Sequence, residues 1–441
     1  GLDITAQSLN NQKGQLLEVS NGNTPNNINI AQNLNNNSGI IQSNANLQIK
    51  VGALSNQAGV IQTLAQSHLN VDVNGLLDNQ QVGKIHGYDV TLQTGQLSNQ
   101  QGQISATNTA NIQSQLEINN NQGLIAAQQQ LQIKAASLNN NAGQVGSVNQ
   151  GIQLTTIQGQ LSNQGGKIQA AESIALDIQG LDNAHGVIST AKNTASHIVV
   201  DSHQHQINNQ AGQINSAGNV QIKSADLLNQ GGLITAQGDV HLASLGLINN
   251  SQTSIDPASN LGIKALGNIQ LQAQQLNNLT GAILSAQNIS LTQQHLNNSF
   301  AGVISSGREI VIQGVNTNSS INNQGGEISA NKNINIDLGN ITSELNNSQN
   351  GGIIAGEHLA MRSQNIINSD TKAKASAGLQ AKNLQLDVAR LDNGTGQIQA
   401  QDQLNIHATT QVNNSQGVIS SLGQLNILDR QHQKSLQLLN N

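Results

Sequence analysis

The densest group of metal-ligand residue types in the sequence is His197, Asp201, His203 and His205. On a strand, His203 and His205 would project to the same side, and two imidazoles with one carboxylate can hold zinc. The group falls in an over-long repeat, which places it on a loop or an exposed face. Solvated surface histidines account for it, and no metal is assigned. Cleavage of a polysaccharide would instead need paired carboxylates across a cleft with basic residues. Glu172 with Asp177, and Glu327 with Asp337, are candidate pairs. With 23 acidic residues spread along the chain, chance pairs are expected, and no stretch gathers acids, Arg and aromatics together. Lys372, Lys374, Lys382 and Arg390 form a mildly basic stretch, read as a solvated face. The expectation is therefore no catalytic, cofactor-binding or metal residue, no cofactor and no enzyme.

The elements that would have to position such residues are unusual. The chain has 441 residues, a net charge of -6, no Cys and no Trp, with Tyr88 and Phe300 as its only Tyr and Phe. Charged residues make up 9%, against about 25% in an average soluble domain. A globular core of this size would use aromatics as large fillers; here only aliphatic residues are available. Disorder is disfavoured, because 36% of residues are hydrophobic, evenly spaced, and net charge is low. No apolar run is long enough for a membrane-spanning helix. No secretory leader is visible at the start. Sugar-binding platforms and nucleic-acid stacking sites both want aromatics, and the 17 Lys and Arg are dispersed, so neither nucleic acid nor a small-molecule substrate is expected. The Gly-Gly-x-Gly-x-Asp repeat of calcium-binding β-rolls does not occur.

A repeat runs through the whole sequence. In the segment from Leu228 to Leu242 an apolar anchor is followed by Asn and Gly, then Ile-x-Ala, a polar corner, and Val-x-Leu. Anchors recur at Leu9, Leu34, Leu54, Leu77, Leu97, Ile118, Leu138, Leu161, Leu181, Ile207, Leu228, Ile248, Leu276, Leu296, Ile321, Leu345, Ile367, Leu391 and Val412, about 22 residues apart on average. Alternation within each repeat (Ile234/Ala236, Val240/Leu242, Ile188/Thr190) is strand periodicity. A hairpin meander would need two-residue turns, which are scarce; a coil with one repeat per turn explains the fixed period.

Coiling stacks position on position about 4.8 Å apart. Like charges then repel along the axis, whereas Asn on Asn hydrogen-bonds. The Gly after the Asn (Gly59, Gly102, Gly123, Gly143, Gly212, Gly302, Gly417) is expected to supply positive φ, as is Asn itself. Pro25 and Pro257 fall in over-long steps, predicting loop insertions near 20–30, 195–206 and 251–262. The predicted fold is all-β: one continuous single-stranded right-handed parallel β-helix (β-solenoid) of about 19–20 turns over residues 1–441, a rod on the order of 90 Å long without caps, cut from a longer filament.

The pattern Leu-Asn-Asn/Gln-x-Gly-x-Ile-x-Ala/Ser, as in Leu97–Ala106 and Leu276–Leu284, followed by Asp/Asn-Val/Ile-x-Leu, resembles the filamentous haemagglutinin repeat over essentially the whole chain. The resemblance implies the shaft of a Gram-negative two-partner secretion exoprotein, either a haemagglutinin adhesin or a contact-dependent growth inhibition toxin-delivery protein. It further implies secretion to the extracellular face of the outer membrane, and contact with a host or neighbouring bacterial cell surface. A cognate outer-membrane transporter would engage a region outside this segment, because the Asn-Pro-containing secretion motifs and the Val-Glu-Asn-Asn boundary of that family are not found in it. The alternatives are a segment that assembles on a target-cell outer membrane for toxin translocation, and, less favoured, a β-helix polysaccharide lyase or hydrolase.

Overall fold

The computed structural model describes residues 1–20, 26–253, 260–316, 318–339, 341–429 and 438–440. The chain divides into two compact units, Gly1–Ser224 and Ala225–Asn441. Each is a parallel β-solenoid, the two together supplying about 20 turns, and no helix occurs among the described residues.

One turn of the first unit shows the plan. Leu161–Ser162 is a short anchor strand, Lys167–Ala170 a second, and Ile174–Asp177 a third. Each strand pairs in parallel with its equivalents in the neighbouring turns: Leu138↔Leu161↔Leu181 along the anchors, Val145↔Ile168↔Ile188 along the second row, and Leu154↔Leu176↔Val200 along the third. Parallel strands need a crossover, and here the rest of the turn is the crossover. The second unit follows the same plan. Ile289–Asn297, for example, runs through third and anchor strands without a break. Late in that unit, strands Gly378–Asp392 and Gln397–Asn413 continue through corners, with register shifts between Ala381/Asn383 and Val388/Arg390.

The core is a set of aliphatic columns. Ile104, Ile125, Val145 and Ile168 are at most 1% exposed, each directly over the last. Because the pleat alternates, the intervening residues face outward; many are polar, such as Gln103, Ser105 and Lys167. Ser, Thr and Ala occupy the inward positions nearest the corners, such as Ser147, Ala170 and Thr190, where the chain bends and space is short.

Two anchors sit one residue earlier than the repeat pattern predicts. Leu227 pairs with Ile248 and is 1% exposed, while Leu228 pairs with Asn249. Likewise Ile366, not Ile367, pairs with Leu345 and Leu391. Both are Leu-Leu or Ile-Ile doublets, in which hydrophobicity alone does not say which residue faces in. The 26-residue step from Leu181 to Ile207 does not expel a loop as a block: His197–Asp201 is the third strand of its turn, and the excess lies in the corners at 191–196 and 202–206. Of the insertions expected near 20–30 and 251–262, residues 21–25 and 254–259, with Pro25 and Pro257, lie outside the described residues, whereas Asn26–Asn35 and Gly262–Ala265 are strands.

Candidate functional site: a buried asparagine ladder

Two residues past every anchor, at the first corner of each turn, stands an asparagine. In the first unit the column runs from Asn11 through Asn36, Asn56, Asn79, Asn99 and onward to Asn209; in the second, from Asn229 to Asn414. From Asn36 to Asn393 these residues are fully buried. Burying a primary amide is unfavourable unless its hydrogen bonds are replaced, and here they are. Asn36 Nδ2 donates to Asn56 Oδ1 at 2.7 Å, to Gly39 O at 3.3 Å and to Val60 O at 3.2 Å, while Asn36 Oδ1 accepts from Asn11 Nδ2 at 2.7 Å. Asn56, Asn79 and Asn99 repeat the contact with the next turn at 2.7 Å. In the second unit the same bond joins Asn229 to Asn250 at 2.8 Å and Asn278 to Asn298 at 2.7 Å.

Within each unit the rungs point the same way, nitrogen toward the higher-numbered turn. The orientation is set by the main-chain carbonyls beside each Nδ2, which can only accept. Aligned amides polarise one another, so a continuous row is stronger than isolated bonds.

The glycine that closes the corner has a different reason from the one expected. A Cβ on Gly59 would lie 2.1 Å from Asn36 O and 2.5 Å from Asn56 Oδ1; on Gly102 it would lie 2.0 Å from Asn79 O. Gly123, Gly143, Gly212, Gly302 and Gly417 are confined in the same way. None of the seven named has positive φ. The left-handed residue is the one before: Ala58 (φ 52), Gln101 (57), Gln122 (56), Ala142 (52), Ala211 (51), Ala301 (63) and Gln416 (61). Glycine is needed because the ladder asparagine of the preceding turn leaves no room, not because the backbone turns over.

The residues singled out for chemistry are held apart. His203 and His205 are in the corner at 202–206, with His203 left-handed (φ 47), rather than side by side on a strand. His203 Nε2 contacts Asp177 Oδ1, His197 Nδ1 contacts Ser173 Oγ at 3.0 Å, His205 Nδ1 contacts Ser202 O at 3.0 Å, and Asp201 accepts from the His203 amide. Among the described residues, no three His, Cys, Asp or Glu are grouped so as to hold a metal ion. Glu172 pairs with Lys192 at 2.6 Å and Asp177 with His203, so that carboxylate pair serves two different partners. Glu327 lies opposite Val303 and Gly352, while Asp337 takes Arg362. Lys382 meets Asp402 at 3.6 Å, and Lys372 Nζ donates to Gln416 O; Arg390 stands further along the strand that carries Lys382, opposite Asn365 and Gln411.

One charged row is ordered. Asp337, Arg362, Asp387 and His407 stack in consecutive turns of the second unit. Arg362 grips Asp337 with two nitrogens, Nε to Oδ1 at 2.8 Å and Nη2 to Oδ2 at 2.6 Å, and His407 Nδ1 lies 3.0 Å from Asp387 Oδ1. The Arg362 hydrogen bonds hold the Asp337 carboxyl below its usual range despite partial burial, with help from the Gly339 amide. In the first unit, burial pushes the Asp89 carboxyl upward, but bonds from the Thr109 hydroxyl and amide and from Asn108, and the charge of His68, outweigh it and lower its pKa.

The fold and this site define a class: a parallel β-solenoid whose turns are joined by aliphatic columns and a buried amide row. The model of the haemagglutinin repeat (filamentous haemagglutinin type) matches residues 1–27, 19–81, 69–116, 89–165, 153–198, 199–273, 246–320 and 368–427. The chain belongs to that family. Comparison with curated proteins and with solved structures gives no match.

The Asn-on-Asn hydrogen bonding expected from the repeat is present; its burial was not read from the sequence. Asn is normally exposed, and in the Asn doublets the second Asn looks no different from the first. The signal is the constant spacing, anchor plus two, which holds even where the doublet is Asn-Gln, Ser-Asn or Asp-Asn.

Proposed function

We propose that the chain is a structural segment of a secreted two-partner exoprotein that mediates cell contact by carrying other modules outward, not by catalysis. Membership of the haemagglutinin repeat family supports an extracellular adhesin, and its finer placement is the outer face of a Gram-negative outer membrane, after export through a transporter engaged elsewhere in the exoprotein. The observation that carries the reading is the turn-by-turn sameness of the ladder. Each turn offers the next the same amide acceptor, the same strand edges and the same corner, so length is extended by repetition. Glu172 with Lys192, Asp177 with His203, Asp337 with Arg362 and Asp387 with His407 are paired between adjacent turns.

The test is an in-register deletion from the full exoprotein. Residues 138–180 are two complete turns, because Leu138, Leu161 and Leu181 occupy one column. Their removal should leave secretion and cell contact intact and shorten the segment by about 10 Å. Removing 138–181 instead displaces the anchor and should abolish folding. Loss of contact with normal secretion after the in-register deletion would overturn the structural reading and assign those turns a specific binding site.

A further inference from the structure

The sequence contains four Asn-Gly pairs, the dipeptide in which a backbone nitrogen most readily reaches a side-chain amide because glycine has no Cβ in the way. Asn21–Gly22 lies outside the described residues. Asn350–Gly351 is in a corner where the Gly351 amide donates to Ser348 O at 3.1 Å. The other two differ sharply. Asn393 is a ladder residue: fully buried, with Nδ2 donating to Asn414 Oδ1 at 2.7 Å and to Val418 O at 3.2 Å, and Oδ1 accepting from Asn368. The nitrogen that would attack it, Gly394 N, donates to Asp392 Oδ1 at 3.0 Å. Asn74 is exposed and its side chain makes no hydrogen bond; with Gly75 it falls where the strand register shifts toward both neighbouring turns.

We propose that Asn74–Gly75 is a site of spontaneous backbone-assisted deamidation, and that the ladder suppresses the same reaction at Asn393–Gly394. The Gly75 nitrogen gives its proton to water and bonds to Asn74 Cγ. The Cγ–Nδ2 bond breaks, and Nδ2 leaves as ammonia after taking up a proton. Water then opens the resulting cyclic imide at either carbonyl, leaving an aspartyl or isoaspartyl residue at position 74; nothing is oxidised or reduced. The product carries a new negative charge two residues from Asp72, on a surface groove that both positions share with Gln93, Gln113, Lys134 and Ile157. The isoaspartyl form also lengthens the backbone by a methylene. The main chain is crowded there: a Cβ on Gly95 would lie 2.4 Å from Asn74 O. Position 74, at the register shift within the strand Leu69–Asp78, thus changes from neutral to acidic with age.

At Asn393 the leaving nitrogen is bonded within the ladder, the carbonyl carbon is fixed by bonds at both ends of the amide, and the attacking nitrogen is occupied. Reaction there must wait for local opening. The experiment incubates the purified 441-residue chain in warm, mildly alkaline buffer, native and in urea, and follows both sites by peptide mapping and mass spectrometry. The expected result is reaction at position 74 at similar rates in the two states. At position 393, reaction in the native state should be slower by more than about a hundredfold. Native protein in which position 74 stays intact while it reacts in urea would overturn the proposal, as would native reaction at 393 as fast as at 74. The Asn74→Gln variant should lose the acidic isoform that accumulates on isoelectric focusing; undiminished accumulation would also overturn it.

Discussion

The main-chain oxygen of Asn36 lies 2.1 Å from where a Cβ on residue 59 would stand, while Ala58, one residue earlier, takes the left-handed conformation with φ 52. The two demands of a tight corner, absent side chain and reversed backbone, thus fall on adjacent residues. The corner's sensitivity to substitution follows. Gly59→Ala forces Cβ against a backbone atom that cannot swing aside, and should destabilise by about 3 kcal/mol, the upper end of overpacking effects. Ala58→Gly relieves a left-handed alanine worth about 1–2 kcal/mol and adds back about 0.5–1 kcal/mol of chain entropy, so it should be neutral or slightly stabilising. Thermal unfolding followed by circular dichroism separates them; equal midpoints for the two variants would refute the assignment.

Asn99 is the middle of the first unit's ladder, accepting from Asn79 and donating to Asn120 at 2.7 Å on either side. Asn99→Ala removes the side-chain acceptor of Asn79 Nδ2, the ladder donor of Asn120 Oδ1 and the amide that meets Gly102 O and Leu124 O, and should cost about 2–5 kcal/mol. Asn99→Asp should be worse at neutral pH, because a carboxylate would then face Asn120 Oδ1, Gly102 O and Leu124 O, all acceptors. That carboxyl's folded pKa would be raised above the roughly 3.9 of the unfolded chain. Its stabilising contribution is therefore present below the unfolded value and lost as pH rises through the folded one. Urea midpoints for this variant should accordingly increase from pH 7 toward pH 4 relative to the parent, and a midpoint difference that does not change with pH would refute the buried-acceptor picture.

How much of this was legible beforehand depends on which physical signal is periodic. The strand alternation at Ile188/Thr190 and the columns through Leu138, Leu161 and Leu181 could be read directly, because burial imposes hydrophobicity at fixed spacing. The Leu227–Leu228 and Ile366–Ile367 doublets could not, since both residues are equally apolar and only the ladder asparagine two positions on fixes which one faces in. The role of Gly59 was hidden for another reason. Glycine marks both positive φ and close approach, and only the placement of Asn36 O decides between them. His203 and His205 lie in an exposed corner, as the over-long step implied; their spacing alone would also have suited a strand, and the extra residues of that turn decide between the two.

Asp337 and Arg362 test the charged row. Their side chains are 40% and 49% exposed, so the pair should contribute less than about 1 kcal/mol. Because the folded Asp337 pKa is lowered, chiefly by the Arg362 hydrogen bonds, that contribution is present above the unfolded value near 3.9 and is lost as pH falls through the folded one. Arg362→Ala should return the Asp337 titration toward the ordinary range, which carboxyl-resolved NMR can follow. Arg362→Lys should recover only part of the shift, since an ammonium cannot reproduce the two-nitrogen grip. An unmoved titration in Arg362→Ala would show that the other groups around Asp337, such as the Gly339 amide, set its acidity.

Gln293 runs against the logic of the rest of the core. Its side chain is 1% exposed, and neither Oε1 nor Nε2 has a hydrogen-bond partner. It stacks on Ala273 in one neighbouring turn and Gly314 in the other, and these small residues leave room for its length but offer no side-chain polar group. The ladder asparagines show that a buried amide is tolerated when every donor and acceptor is met, and Gln293 shows the opposite case. An unsatisfied buried amide costs about 1–3 kcal/mol, while an apolar side chain of similar shape removes the penalty without opening a cavity. Gln293→Leu should therefore raise the unfolding midpoint of the chain. Gln293→Ala, which also removes the penalty but leaves a void beside Gly314, should stabilise less or not at all. Chemical denaturation of the three proteins side by side decides it: a Leu variant less stable than the parent would mean that the amide is hydrogen-bonded in solution.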